Sequence, residues 1–68
     1  MRTPEEILKQ TNEIARRFYK CWQYDAPEGF RFDLSNHGHE QIAWQQACIA
    51  QEILTDTDID DVMSELEE

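Results

Sequence analysis

The start of the chain carries the pattern that most restricts the fold, a helix cap followed at once by a long amphipathic stretch. Thr3-Pro4-Glu5-Glu6 places a hydroxyl at the N-cap, proline at the first helical position and glutamate at the third, which is a capping box. The residues expected to face the core share one broad arc of a helical wheel: Ile7, Leu8, Thr11, Ile14, Ala15, Phe18, Tyr19, Cys21 and Trp22. Pro27 disfavours helix at the preceding residue, so we predict a helix from about residue 4 to residue 24.

The segment after this helix, residues 25–36, predicts a turn followed by an extended arm. Ala26-Pro27-Glu28-Gly29 is a typical turn sequence, and apolar and polar residues alternate from Phe30 to Leu34 as they would in a short strand. Because a single strand has no neighbour to pair with, we expect these residues to lie over the helices as an arm. A strand that pairs with a second copy of the chain is the alternative.

A second helix is expected from about residue 38 to residue 54, with an apolar face that packs against the first helix. That face is interrupted by Gln46 and consists of Ile42, Ala43, Ala47, Ile49, Ala50, Ile53 and Leu54. Its three alanines would let the first helix approach closely. Trp44 and Cys48 lie one turn apart on another face, where Trp44 is either covered by the arm or offered to a partner.

The last part of the chain predicts a short acidic helix from about residue 57 to residue 66. Thr57 and the neighbouring aspartates are good N-caps. An apolar seam with helical spacing follows: Ile59, Val62, Met63 and Leu66. The sequence therefore predicts one all-α domain over residues 1–68. It is a small helical hairpin with an extended arm between its two main helices and a short acidic third helix.

Length and charge restrict the function. A chain of 68 residues buries only about 60% of the surface of its unfolded state, so a homodimer is one way to complete its core. The net charge is −9, and residues 41–68 contain eight acidic and no basic residues. This balance argues against direct binding to nucleic acid, because Lys and Arg supply the phosphate contacts. It favours a basic protein partner instead.

The sequence gives no sign of a membrane or a secretory pathway. No apolar run approaches the ~20 residues that a membrane-spanning helix needs, and the first residues lack the apolar stretch of a signal peptide. We therefore expect a cytoplasmic protein that does not bind membranes. In that compartment Cys21 and Cys48 would be free thiols. Antiparallel helices would also separate them by roughly 10 Å along the helix axes, too far for a disulfide.

Two groups of residues invite a metal hypothesis, and both fit it poorly. The alternating aspartates of residues 56–60 match ligand positions of an EF-hand loop, but Asp61 stands where that loop needs glycine. The helical seam of the third helix also runs through the same residues. His37 and His39 lie close together in sequence but lack the usual ligand spacing of a zinc site. A metal-binding protein is therefore the least favoured alternative, and no cofactor is expected.

The chain shows no pattern typical of an enzyme. No nucleophile and base have a recognisable spacing, no glycine-rich phosphate loop occurs, and a domain this small rarely encloses an active site. We therefore expect no catalytic activity. The aromatic residues are most simply the core and its lid, since large rings drive folding. The functional alternative is that Trp44, with Phe30 or Phe32, forms an exposed patch for a partner.

The most favoured function is a small acidic protein–protein interaction or regulatory module. Its predicted partner-binding residues are an aromatic and an acidic group: Trp44, Phe30, Phe32, Asp58, Asp60 and Asp61. The alternative is an acidic mimic of nucleic acid that blocks a DNA- or RNA-binding protein, suggested by the charge of residues 41–68. Salt distinguishes the two, because an aromatic contact resists salt better than an electrostatic one.

Overall fold

The computed structural model of the chain describes residues 3–27 and 29–67, and it confirms the all-α fold class. The three α-helices are α1 (Pro4–Cys21), α2 (Gly38–Thr55) and α3 (Ile59–Glu67). A single turn of 3-10 helix, Phe32–Leu34, lies between α1 and α2. The described residues contain no strand. Nor do they include a helix with the length and apolar character needed to cross a membrane.

Two helices begin at side-chain caps. The Thr3 hydroxyl accepts a hydrogen bond from the Glu6 N–H at 3.2 Å, and Pro4 occupies the first turn of α1. At the start of α3, the Asp58 carboxylate accepts a hydrogen bond from the Asp60 N–H at 2.9 Å. Each cap satisfies a backbone donor that has no partner inside its helix.

Helix α1 ends at Cys21 rather than near residue 24. Gln23 lies in the left-handed region, at φ 67°, and its N–H donates to the Lys20 carbonyl at 2.9 Å. The Tyr24 N–H donates to the Tyr19 carbonyl at 3.3 Å. These two bonds form a Schellman motif, in which glycine is the usual left-handed residue. Because glutamine occupies that position here, the sequence carries no signal for this ending.

Helices α1 and α2 form an antiparallel hairpin that meets through small residues. Ala15 of α1 and Ala43 and Ala47 of α2 have no exposed surface. Gln51 donates to the Thr11 hydroxyl at 3.1 Å, so a polar contact lies in the same interface. The alanines bring the two helix backbones close together and leave larger side chains at the flanks of the contact.

The arm between the helices is a 3-10 turn that inserts one ring into the hairpin. Phe32 is 1% exposed and packs with the buried alanines of both helices. Asn12 of α1 holds the arm in place, because its Oδ1 accepts from the Phe32 N–H at 2.6 Å and its Nδ2 donates to Asp33 at 3.0 Å. The strand alternative for residues 30–34 is therefore wrong, since a hydrogen-bonded anchor on α1 replaces the strand partner that the chain lacks. Glu28, in the turn predicted before the arm, lies outside the described residues.

Helix α3 lies on the same side of the hairpin as the arm. Its side chains Ile59 and Val62 are each 6% exposed, and the helix packs against both α1 and α2. Asp33 of the arm and Asp58 at the start of α3 border one cavity, together with the Trp44 flank of α2. Within the described part of the chain, the arm and α3 thus cover one side of the hairpin and leave the other side without a third layer.

Candidate functional site

Large apolar side chains of α2 face solvent on the side that the arm and α3 leave open. Ile42, Ile49 and Ile53 are 46%, 55% and 75% exposed. Leu54, in the last turn of the helix and in line with the alanines, is 79% exposed as well. The expectation that these side chains pack against α1 is wrong. The buried alanines form the contact, and the isoleucines lie roughly 100° to 140° around the helix from them.

A shallow groove between α1 and α2 joins these isoleucines to aromatic residues. It has a volume of about 470 Å³ and is lined by Phe18, Trp22, Gln46, Ile49 and Ala50. Phe18 and Trp22 are half-buried, so each ring keeps part of its surface open to the groove. We call this groove and the flanking Ile42 and Ile53 the uncovered face. It offers an uncharged and mostly apolar surface, interrupted by the exposed Gln46, on a chain that is otherwise rich in charge.

The composition of α2 explains why it has apolar surface on two sides. Glu40 and Glu52 are its only charged residues, and neither lies within the arc of the isoleucines. Trp44 and Cys48 occupy one flank, the alanines the centre and the isoleucines the other flank. A helix that is apolar around most of its circumference is normally buried on more than one side. This breadth is the signal in the sequence from which an uncovered face could have been predicted.

The outer surface of α1 carries the charges nearest to this face. Glu13 lies 3.8 Å from both Arg16 and Arg17, and Lys20 and the exposed Cys21 border the same region. These ion pairs are solvent-exposed, so each adds little to the free energy of unfolding. They form a charged rim, and the residues that define the uncovered face itself are uncharged.

Three of the predicted partner-binding residues come together on the covered side. Trp44, Asp58 and Asp60 line a cavity of about 150 Å³, which Cys48 and Glu52 also border. Burial, and then the negative charge of Asp60, raise the pKa of the Cys48 thiol to about 11. Cys48 therefore stays protonated at neutral pH and has little nucleophilic character.

The other three predicted residues do not join this cavity. Phe30 is half-buried, and its ring packs edge-on against Phe32 with the centroids 4.8 Å apart. Phe32 itself lies in the core, so it has no surface to offer a partner, and we correct its assignment to a core residue. Asp61 is exposed on α3 and does not border the cavity.

A charged cluster fixes the arm beside α1. The Asp33 side chain is 1% exposed and accepts hydrogen bonds from Arg31 Nε at 2.8 Å, Arg31 Nη2 at 2.7 Å and Asn12 Nδ2 at 3.0 Å. Burial alone would raise the pKa of Asp33, but the bonds from Arg31 and Asn12 outweigh it and hold the pKa below its ordinary value. Asp33 therefore acts as a charged structural anchor.

The candidate metal ligands do not converge. Among residues 3–27 and 29–67, no three His, Cys, Asp or Glu side chains are placed to share a metal ion. His37 and His39 are both exposed, and the His39 ring lies 5.0 Å from the ring of Tyr24.

The sequence matches no protein-family model, and neither a matching curated protein nor a matching solved structure was found.

Proposed function

We propose that this protein is a small cytoplasmic interaction module that binds a protein partner through its uncovered face and has no catalytic activity of its own. The observation that carries the proposal is the uncharged, mostly apolar surface formed by the Phe18–Trp22 groove and the exposed isoleucines of α2. Contiguous apolar surface on a small protein commonly marks a contact site, because exposing it to water is unfavourable.

The groove has the features of a helix-binding site. Phe18 and Trp22 provide aromatic surface, which is common among residues that contribute most to binding. Ile49 and Ala50 form the opposite wall, and Gln46 supplies one exposed amide that can select the orientation of a partner. An amphipathic helix could place its apolar side chains along such a groove.

Affinity capture with two matched variants tests this proposal. Ile49→Glu places a carboxylate in the groove, whereas Leu34→Glu makes the same change on the arm, where Leu34 is 67% exposed. We expect Ile49→Glu to reduce partner recovery about tenfold, because an unpaired charge would be desolvated in the contact. Leu34→Glu should leave recovery unchanged. Equal recovery with both variants would contradict the proposal, provided that circular dichroism shows both to be folded.

A second candidate function follows from the acidic end of the chain. Carboxylates of α3 and of the residues just before it are exposed, and they include Asp56, Asp58, Asp60, Asp61, Glu65 and Glu67. An acidic mimic of nucleic acid would use this surface to occupy a basic protein. Replacing Asp58, Asp60 and Asp61 by asparagine should then abolish capture. Such binding should also weaken steeply as salt is raised, while binding at the uncovered face should not.

A further inference from the structure

We propose that the partner of the uncovered face is the same face of a second copy of this chain, related by a two-fold axis that sets the two α2 helices antiparallel. This inference rests on the proposed function, because it names the occupant of the surface described there. A two-fold contact uses the same patch on both copies, so that patch must be complementary to itself.

The spacing of the exposed residues on α2 makes this patch complementary to itself. Ile42, Gln46, Ile49 and Ile53 are separated by four, three and four residues, so the row reads the same in both directions. A two-fold axis midway between residues 47 and 48 places Ile42 opposite Ile53 of the second copy. It places Gln46 opposite Ile49 of the second copy. A row with alternating spacings of four and three residues is also the stripe through which the helices of bundles and coiled coils pack.

The charges of the chain favour approach through this face over any other. Helix α3, which carries most of the exposed carboxylates near the end of the chain, packs on the covered side of the hairpin, while the residues of the uncovered face carry no charge. Two copies that meet there keep their acidic helices far apart. The Gln51–Thr11 contact sets the level of α1 beside α2, so the same axis places Arg17 at about the level of Glu13 of the second copy along the helix direction. Charges of opposite sign are thus aligned along the rim.

A single copy of the chain buries few large hydrophobic side chains, which also favours an interface that buries more apolar surface. The buried hydrophobic residues in the described part of the chain are three alanines and three larger side chains: Ala15, Phe32, Ala43, Ala47, Ile59 and Val62. A stable interface buries about 800 Å² per partner, roughly a sixth of the 5092 Å² that the chain exposes. A short peptide in the groove would bury much less than that. A second hairpin of equal length spans the whole face. The α1–α2 hairpins of the two copies then form a four-helix bundle.

Sedimentation equilibrium of the purified full chain tests the inference over micromolar to millimolar concentrations. We expect a species of twice the 8.1 kDa chain mass that grows with concentration. Dimerisation should strengthen with added salt, because salt screens the repulsion between two chains of net charge −9. Ile49→Glu should raise the dimer dissociation constant about tenfold or more, and Leu34→Glu should leave it unchanged.

A charge-swap experiment tests the antiparallel register. Ile42→Lys and Ile53→Glu should each be monomeric alone, because each places two buried charges opposite isoleucine. When the two variants are mixed, they should form a heterodimer. The introduced lysine of one chain then faces the introduced glutamate of the other, while the second Ile42–Ile53 pair remains intact. A mixture that stays monomeric, while the unmodified chain dimerises, would overturn this register.

The two proposals fail in different ways. An unmodified chain that stays monomeric at millimolar concentration and high salt would overturn the pairing of copies. Affinity capture that still depends on Ile49 would then show that the face binds a different protein. A dimer that Ile49→Glu leaves intact would overturn pairing through this face, and unchanged capture by the same variant would reject the proposed function as well. Circular dichroism of each variant, checked against the Leu34→Glu control, separates loss of binding from loss of folding.

Discussion

The side chain of Asn12 connects α1 to the arm, and Asn12→Ala tests how strongly that connection stabilises the fold. The Asn12 amide is almost buried, and its two ends serve different partners. Its oxygen accepts from the Phe32 N–H at 2.6 Å, and its nitrogen donates to the Asp33 carboxylate at 3.0 Å. Alanine removes both bonds to the arm, together with a bond from the same nitrogen to the Leu8 carbonyl at 3.1 Å, and leaves a buried N–H and a buried carboxylate each short of a partner.

The expected loss follows from these two bonds. A buried bond between neutral groups contributes about 1 kcal/mol to the free energy of unfolding, and a bond to a charged group about 2 kcal/mol. Asn12→Ala should therefore lower the free energy of unfolding by about 3 kcal/mol. A domain of 68 residues has a total of roughly 3 to 10 kcal/mol, so the loss is a large share of it. The melting temperature should fall by roughly 15 °C.

Urea denaturation followed by circular dichroism measures this loss directly. Asn36→Ala is the matched control, since Asn36 is exposed and its replacement should change the free energy of unfolding by less than about 0.5 kcal/mol. A change at Asn12 as small as that at Asn36 would refute the anchoring role of the amide. It would also imply that Phe32 stays in the core through packing alone.

Two further predictions concern the ends and anchors of the helices. Gln23→Gly should raise the free energy of unfolding by about 0.5 to 1 kcal/mol, because glycine adopts the left-handed φ of 67° without steric cost. Glycine at the exposed Gln45, inside α2, should instead lower the free energy of unfolding by about 1 kcal/mol. Thermal melts of both variants would show whether the melting temperature rises for Gln23→Gly and falls for Gln45→Gly. Because the pKa of Asp33 is lowered in the fold, its stabilising effect is fully present above the ordinary aspartate value of 3.8 and is lost as the pH falls through the lowered native pKa. Asp33→Asn should therefore be less stable than the unmodified chain at pH 5, with a gap that narrows as the pH falls below about 4, and a constant gap would argue against the anchor.

Local signals in the sequence predicted the helices well and the arm poorly. The Thr3 N-cap marks the start of α1 in both sequence and structure, and α2 begins at Gly38 as expected. The alternation from Phe30 to Leu34 is typical of a strand, but alternation describes only which side chains face inward. The hydrogen bonds from the arm to Asn12, about twenty residues earlier in the chain, decide the backbone conformation, and no local pattern shows them.

The candidate site was predicted only in part, because it also depends on contacts between residues that are far apart in the sequence. Helical periodicity correctly grouped the alanines and isoleucines of α2 on one broad arc, but it could not tell which part of that arc meets α1. Close contact through Ala43 and Ala47 excludes Ile49 and Ile53 from the interface between the helices. Trp44 and Asp58 were singled out for different reasons, and the packing of α3 brings them to the same cavity.

The amide of Gln51 fixes the alignment of α2 along α1, which the alanines of the hairpin cannot do. Ala43, Ala47 and Ala50 present nearly equal small surfaces about one turn apart, so van der Waals contact alone would let α2 slide along α1 by a turn at little cost. Gln51 donates to Gln10 at 3.0 Å and to Thr11 at 3.1 Å, and its oxygen accepts from Thr55 at 3.1 Å. A slip by one turn would bury this amide without those partners. Gln51 thus selects a single alignment of the two helices.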